Sequence, residues 1–166
     1  MKIINNKRGF TLVELLLYLG IFSILLTVTL QMFGSVFELQ LESQAKSSVD
    51  VDGKFIINRF NYDVSRASSI ALPVTLGASE SALTIVVNSQ SLTYSLSNGD
   101  INLSNVSTGT TDQLNSTETT ASSLSFTRLE GIAGKDLIQM SFTLTSEVTQ
   151  RKGKEIRSFQ TTGGLR

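Results

Sequence analysis

The feature that most constrains this chain is a run of 23 residues without a charge, from Leu15 to Phe37. A helix needs about 20 apolar residues to cross the hydrocarbon core of a bilayer, so the run is long enough to span a membrane. Lys2, Lys7 and Arg8 precede it, and Glu38 follows it directly. Because basic residues stay on the cytoplasmic side, the sequence predicts a cytoplasmic N-terminus and a C-terminal part outside.

Two other interpretations of the apolar run have to be weighed. A cleavable secretory signal has an apolar core of roughly 7–15 residues followed by a small-residue cleavage site, and this run is longer and lacks a clear site of that kind. A simple signal anchor fits the hydropathy equally well and stays an alternative on hydropathy alone.

The composition removes most enzymatic chemistry. The 166-residue chain has no Cys and no His, which excludes disulfides, thiol nucleophiles, imidazole bases and the commonest zinc ligands. Its 14 basic residues balance 14 acidic residues, so no overall charge attracts nucleic acid or acidic lipid. The length allows one membrane-anchored domain. We therefore expect a chain without catalytic residues, metal ligands or cofactors.

A helical period continues beyond the apolar run. Apolar and small residues recur at steps of three or four and form one stripe: Phe37, Leu41, Ala45, Val49, Gly53, Ile56, Phe60, Val64 and Ala67. This pattern predicts an amphipathic outer helix over residues 38–71, following a transmembrane helix over residues 10–37. Gly53 should be a weak point where the helix bends or frays. Pro73 disfavours helix at the preceding residue, so the helix should stop by Ala71.

After Pro73 the period changes from helical to two, which is typical of strands. Strands are predicted at Leu83–Val87, Leu92–Leu96, Ile101–Leu103, Leu124–Leu129, Leu137–Leu144 and Glu155–Thr161. Asn98-Gly99-Asp100 predicts a tight hairpin turn, and the polar segment from Ser104 to Ser123 predicts a surface loop. The expected fold is α+β: a long N-terminal helix whose outer half packs on one small antiparallel sheet, with residues 72–166 forming a β-rich head.

The segment before the apolar run reads KRGFTLVEL, from Lys7 to Leu15. It resembles the class III signal of type IV prepilins, in which a basic residue, Gly, Phe, Thr, Leu, a hydrophobic residue and Glu stand at fixed spacing directly before an apolar helix. The resemblance covers residues 1 to about 37. Beyond that point the chain is similar to the family only in its architecture, a long helix followed by a β-rich head.

The resemblance implies roles for individual residues. Residues 1–9 would be a leader carrying the basic Lys7 and Arg8, which prepilin peptidase removes by cutting after Gly9. Phe10 would become the new N-terminal residue and be N-methylated by the same enzyme. Glu14 would pair with the N-terminal amine of a neighbouring subunit, since a carboxylate at the edge of an apolar helix usually has a partner. The alternative is that Glu14 stays hydrated at the membrane interface.

Other features narrow the resemblance. The apolar run has no Pro and the chain has no Cys pair, which favours pseudopilins with a continuous membrane helix. The stretch from Phe55 to Ala67 is similar to the outer helix of J-type minor pseudopilins and W-type minor pilins. The C-terminal stretch from Arg157 to Thr162, with a terminal Leu165-Arg166, is similar to the chain ends in that group. In that helix an Arg59–Asp63 pair is expected, although an ordinary surface ion pair explains the same spacing.

The expected function is that of a minor structural subunit of a type IV pilus-like filament or type II secretion pseudopilus, placed near the tip and active in assembly initiation. Its expected partners are prepilin peptidase, other pilins or pseudopilins, an inner-membrane assembly platform and, before assembly, membrane lipid. The protein would lie in the bacterial cytoplasmic membrane and then in a periplasmic or extracellular filament.

The alternative function is an adhesive or DNA-binding minor pilin. Its support in the sequence is a basic cluster: Arg151, Lys152, Lys154 and Arg157. A solvated turn explains this cluster better, because no aromatic residues are interleaved as a single-strand binding surface requires. A membrane-anchored hydrolase is disfavoured because no nucleophile–base pair is recognisable. Asn98 to Asp100 could contribute to a calcium site, but three residues do not complete a coordination shell.

Overall fold

A computed structural model describes residues 9–131 and 135–165. Within these ranges the chain forms one helix, α1 (Leu12–Arg66), followed by strands. The strands are β1 (Ser69–Leu72), β2 (Ser79–Glu80), β3 (Leu83–Val87), β4 (Gln90–Ser97), β5 (Asp100–Asn105), β6 (Thr110–Gln113), β7 (Thr119–Glu130), β8 (Asp136–Gln150) and β9 (Gly153–Gly164). The chain divides into two compact units, between Gln40 and Leu41.

In the first unit, the part of α1 up to Gln40 keeps its side chains exposed. α1 is long and apolar enough to cross a membrane by length and composition. Its hydroxyl groups bond within the helix: Ser23 Oγ donates to the Leu19 carbonyl at 2.8 Å, and Thr27 Oγ1 donates to the Ser23 carbonyl at 2.9 Å. Because each hydroxyl finds its acceptor one turn back, these residues need no polar partner from the surroundings, which suits a lipid environment.

In the second unit, the rest of α1 packs against antiparallel sheets through the predicted stripe. The buried members are Ala45, Val49, Gly53, Ile56, Phe60, Val64 and Ala67. Gly53 is buried and α1 continues through it, so the helix does not fray at this residue. This part of the chain has the α+β architecture that the sequence predicts.

The outer helix ends earlier than predicted. α1 ends at Arg66, and Ser69–Leu72 form β1 rather than the last turn of a helix ending at residue 71. Ser68 begins the change, since both its backbone N–H and its hydroxyl donate to the Val86 carbonyl, at 2.8 Å and 3.1 Å. These two bonds tie the chain to the end of β3 directly after the helix.

The strands form two sheets, not the single small sheet that was predicted. One has the order β1-β3-β4-β5-β6 and the other the order β2-β7-β8-β9, with antiparallel pairing throughout. The six predicted strands correspond to β3, β4, β5, β7, β8 and β9. The short strands β1, β2 and β6 were not predicted, because strands of two to four residues are too short to show a period of two.

Two hairpin turns explain the strand order of the first sheet. Asn98 and Gly99 have φ angles of 55° and 87°, which is the conformation that a two-residue turn between β4 and β5 requires. The predicted turn is therefore confirmed. Asn88 and Ser89 adopt φ angles of 50° and 64° between β3 and β4, so a serine occupies a position that glycine usually takes.

The predicted surface loop from Ser104 to Ser123 is only partly a loop, since it contains β6 and the start of β7. Polar contacts order it in place of apolar burial. Asn115 is buried; its Oδ1 accepts from the Ile101 backbone N–H at 2.8 Å, and its Nδ2 donates to the Thr119 carbonyl at 2.8 Å. A Ser-, Thr- and Asn-rich segment can therefore be ordered without a hydrophobic pattern.

Three aromatic rings lie at the centre of the core between α1 and the sheets. Phe60, Tyr94 and Phe126 are fully buried, with ring centroids 6.2–6.3 Å apart. Such spacing is typical of favourable aromatic pairs. The three rings come from α1, β4 and β7, so they tie the helix to both sheets.

Candidate processing and assembly site

The residues of the predicted leader junction lie at the start of α1. Gly9, Phe10 and Thr11 precede the helix, which begins at Leu12. The Thr11 hydroxyl accepts from the Glu14 backbone N–H at 3.3 Å, and the Thr11 carbonyl accepts from the Leu15 N–H at 3.2 Å. Threonine at this position caps the helix, so the Gly9–Phe10 bond stands outside regular structure, where a peptidase can reach it. Lys7 and Arg8 lie outside the described residues.

Phe10 is exposed, and its ring lies edge-on to Tyr18 with a centroid distance of 6.2 Å. Gly9 is also open: a Cβ atom added there would meet nothing within 4 Å. Packing within the described chain therefore does not require glycine at position 9.

Glu14 lies in the first turn of α1 and is exposed. A carboxylate in the first turn is favoured by the partial positive charge at the N-terminal end of a helix. Its position one turn after Phe10 places it beside the segment that processing at Gly9 would turn into a chain end. The junction thus carries the predicted cleavage site, a helix cap and a carboxylate within two helical turns.

Two of the four residues of the basic cluster at the β8–β9 turn pair with acids. Lys154 Nζ lies 2.7 Å from Glu147 Oε2, and Arg157 pairs with Asp50 of α1. The hydrogen bond from Lys154, followed by that from Thr120, lowers the pKa of the Glu147 carboxyl. These pairs weaken the case for a continuous cationic surface and hence for the DNA-binding alternative.

The predicted Arg59–Asp63 pair forms, with 2.9 Å between Arg59 Nε and Asp63 Oδ2, but it is not an ordinary surface pair. Asp63 is only 2% exposed, and the same carboxylate oxygen accepts from the Tyr94 hydroxyl at 2.7 Å. Burial opposes the charge of Arg59, yet the hydrogen bond and charge of Asp63 raise the pKa of the guanidinium. Helix α1 is therefore joined to β4 by a buried polar contact.

Sequence reasoning missed Asp52, which is buried on the same helix. Its Oδ2 accepts from the Ser116 N–H at 2.9 Å, the Ser116 hydroxyl at 2.7 Å and the Thr119 hydroxyl at 2.5 Å. The sequence did contain a signal for Asp52, namely its position directly beside Gly53, which belongs to the buried stripe. An acid on that face predicts a buried carboxylate with donors from another segment.

The Asn98–Asp100 turn has a structural role. Asp100 Oδ1 accepts from the side-chain amides of Gln113 and Asn115 at 2.9 Å and 3.1 Å. Across residues 9–131 and 135–165, no group of three His, Cys, Asp or Glu side chains is arranged to hold a metal ion.

Comparison with known protein families gives a match at the N-terminal end of the chain. Residues 4–30 match the family described as the prokaryotic N-terminal methylation motif. No curated protein and no solved structure matches the chain. The matched segment includes Gly9, Phe10 and Glu14 and runs into the exposed apolar part of α1. The motif supports assignment to the type IV pilin-like family, and it indicates processing by prepilin peptidase, membrane anchoring through α1 and assembly with other pilins.

Proposed function

We propose that this protein is a minor structural subunit of a type IV pilus-like filament or type II secretion pseudopilus. The observation that carries the proposal is the methylation motif at residues 4–30, directly joined to an exposed apolar helix that can span a membrane. A chain with this N-terminus serves as a building block, and its function lies in assembly rather than in catalysis.

In this proposal the protein is first held in the cytoplasmic membrane by residues 10–37, with the leader inside and the head outside. Prepilin peptidase removes residues 1–9 and methylates Phe10. The basic Lys7 and Arg8 keep the leader on the cytoplasmic side, where that enzyme works. The assembly platform in the membrane then extracts the mature chain into a filament.

Extraction requires that contacts between helices replace contacts with lipid. Without water, helix association depends on close packing and on polar pairing, and the exposed apolar part of α1 offers both. Glu14 supplies the polar pairing: its carboxylate accepts the positive N-terminal amine of a neighbouring subunit. Such a pair sets the register between subunits as much as it stabilises them.

The proposal places the protein near the filament tip, among J-type minor pseudopilins or W-type minor pilins. Its support is the helical stretch from Phe55 to Ala67. Within this stretch Arg59 and Asp63 form an ion pair, and the Asp63 carboxylate also accepts a hydrogen bond from the Tyr94 hydroxyl. The continuous α1, without a Pro in its apolar part, adds to this support.

The experiment is intact-mass and N-terminal analysis of the protein produced with and without prepilin peptidase. We expect a mature chain that begins with N-methylated Phe10 only when the active enzyme is present. Gly9→Leu should block the cut, whereas Gly9→Ala should be partly processed. A chain that still begins at Met1 beside the active enzyme, or one cut after residue 30, would exclude the proposed function.

A further inference from the structure

A polar cleft of about 310 Å³ lies in the second unit, between the end of α1 and the β3–β4 hairpin. Arg59, Tyr62, Asp63 and Arg66 line it from the helix, and Asn88, Gln90 and Asn105 are among the residues that line it from the sheet. This volume lies at the lower end of the range for ligand pockets, about 300–1,000 Å³, so the cleft has room for an acidic side chain.

The charges in the cleft do not cancel. Its charged residues are two arginines and one aspartate, and the aspartate is already satisfied: Asp63 is buried and accepts from both Arg59 and Tyr94. One positive charge therefore remains, on Arg66. A small occupant with a single negative charge would balance it.

The exposed guanidinium of Arg66 is oriented by Tyr62. Its Nη1 donates to the Tyr62 hydroxyl at 2.5 Å, and its Cζ lies 4.8 Å from the centroid of the Tyr62 ring. A guanidinium has five N–H donors in a planar fork, so Arg66 can hold Tyr62 and still bind a carboxylate with two parallel hydrogen bonds. Such a fixed fork selects a planar carboxylate group.

The sheet side of the cleft supplies neutral donors. Asn105 Nδ2 donates to Gln90 Oε1 at 3.1 Å, which turns the carbonyl end of Gln90 toward Asn105 and leaves its Nε2 as a donor. Asn88 lines the cleft from a turn in which it and Ser89 both have positive φ angles.

The cleft continues into an exposed apolar stripe of α1. Val51, Phe55 and Tyr62 are each more than half exposed, and they follow one another at helical spacing, with Tyr62 shared by stripe and cleft. An apolar surface beside a charged pocket fits a protein partner better than a free ion, because the partner covers the apolar residues as its acid enters the cleft.

We propose that the cleft beside Arg66 receives the carboxylate of an aspartate or glutamate side chain from a neighbouring filament subunit. This inference rests on the proposed function for the identity of the partner, but carboxylate binding itself does not depend on it. Apolar side chains around that acid contact the stripe of Val51, Phe55 and Tyr62.

The first experiment uses the full mature chain in detergent micelles with ¹⁵N-labelled arginine, and the probe is N-acetyl-glutamic acid α-amide. We expect saturable NMR shifts of the Arg66 and Arg59 side-chain N–H signals, since both residues line the cleft, and about tenfold weaker binding of the matching glutamine compound, which lacks the charge. Arg66→Gln removes its own signal, so this variant is followed at Arg59, whose shift should be lost, whereas Lys152→Gln, outside the cleft, should keep the shifts of both arginines. Equal binding of the glutamine compound, or an undiminished shift of the Arg59 signal in Arg66→Gln, would overturn the proposal.

The second experiment assigns the source of the carboxylate. In cells that assemble the filament, Arg66→Gln should be cut after Gly9 as efficiently as the native chain but enter filaments severalfold less often. Normal entry of Arg66→Gln would overturn the assignment to a neighbouring subunit. Failure of the native chain to be cut or assembled would instead count against the proposed function, and the NMR titration would still decide whether the cleft binds a carboxylate.

Discussion

The ring of Phe159 on β9 lies directly against Gly53 of α1. A Cβ atom at position 53 would stand 2.7 Å from Cε2 of the ring and closer still to Cζ and Cε1. Phe159 also stacks on Phe142, with ring centroids 5.2 Å apart and an angle of 17° between the rings. The glycine that weakens the helix by its propensity therefore lets a strand approach it closely.

This contact predicts that Gly53→Ala destabilises the head. Alanine favours helix over glycine by about 1 kcal/mol, but the clash with a ring stacked on Phe142 should cost more, giving a net loss of about 1–3 kcal/mol. Chemical denaturation of a fragment from residue 39 measures it. Phe159→Leu should relieve part of the loss in the double variant, and a Gly53→Ala protein more stable than the native one would contradict the contact.

Phe60→Ala tests the core between α1 and both sheets. Phe60 is fully buried between Tyr94 and Phe126, so we expect its truncation to cost about 3–5 kcal/mol of unfolding free energy. The control is Phe55→Ala, on the same helix but half exposed, which should change stability by less than about 0.5 kcal/mol. Similar losses for the two variants in the same denaturation experiment would show that the buried and exposed faces of the helix are wrongly assigned.

Tyr94 should make the stability of the head depend on alkaline pH. Burial, together with the nearby charge of Asp63, raises the pKa of the Tyr94 hydroxyl far above its ordinary value of 10.0. The folded state therefore prefers the neutral phenol. The stabilisation that the neutral Tyr94 hydroxyl gives to the folded head is fully present below pH 10. Above pH 10 it is lost by up to about 1.4 kcal/mol per pH unit, because Tyr94 ionises in the unfolded chain.

The comparison that isolates this effect is Tyr94→Phe. The variant loses the hydrogen bond to Asp63, so it should be less stable near neutral pH by about 1 kcal/mol. Above pH 10 the two unfolding free energies should converge, because only the native protein has Tyr94 to ionise. Parallel curves from about pH 8 to pH 11 would rule out a raised pKa at Tyr94.

The sequence predicts the parts of this fold that depend on a repeating hydrophobic pattern. The stripe from Ala45 to Ala67 and the strands β3, β7 and β8 alternate clearly, and the structure buries their apolar residues. The sequence does not predict elements that are ordered by individual side-chain hydrogen bonds rather than by apolar burial. Asp52 orders the segment around Ser116 through three hydrogen bonds, and Ser68 ends the helix by bonding to Val86, and neither contact leaves a periodic signal.

The same distinction applies to the candidate site. Gly9, Phe10 and Glu14 were recognised because a motif fixes their spacing before a long apolar run. The cleft beside Arg66 was not recognised, since its lining comes from α1, the β3–β4 hairpin and the end of β5, which only the folded chain brings together. The buried Asp63 was noticed as half of an ion pair, but its contact with Tyr94 depends on the packing of β4 on the helix.

Glu14→Ala tests the pairing proposed for filament assembly. Glu14 is exposed in the first turn of α1, and the helix cap that precedes it uses Thr11 and the Glu14 backbone, so the substitution should leave the cap, the cut after Gly9 and membrane insertion intact. Burying the N-terminal amine of a neighbouring subunit in the apolar assembly without the Glu14 carboxylate beside it should cost about 3–5 kcal/mol. Entry into filaments should then fall by at least about tenfold, measured as the amount of mature chain in sheared filaments relative to the membrane fraction.

Glu14→Gln, which keeps the size and polarity without the charge, should show nearly the same loss. Normal entry of both variants would exclude the pairing for this subunit, whereas failed insertion of Glu14→Ala would assign Glu14 a role in topology instead.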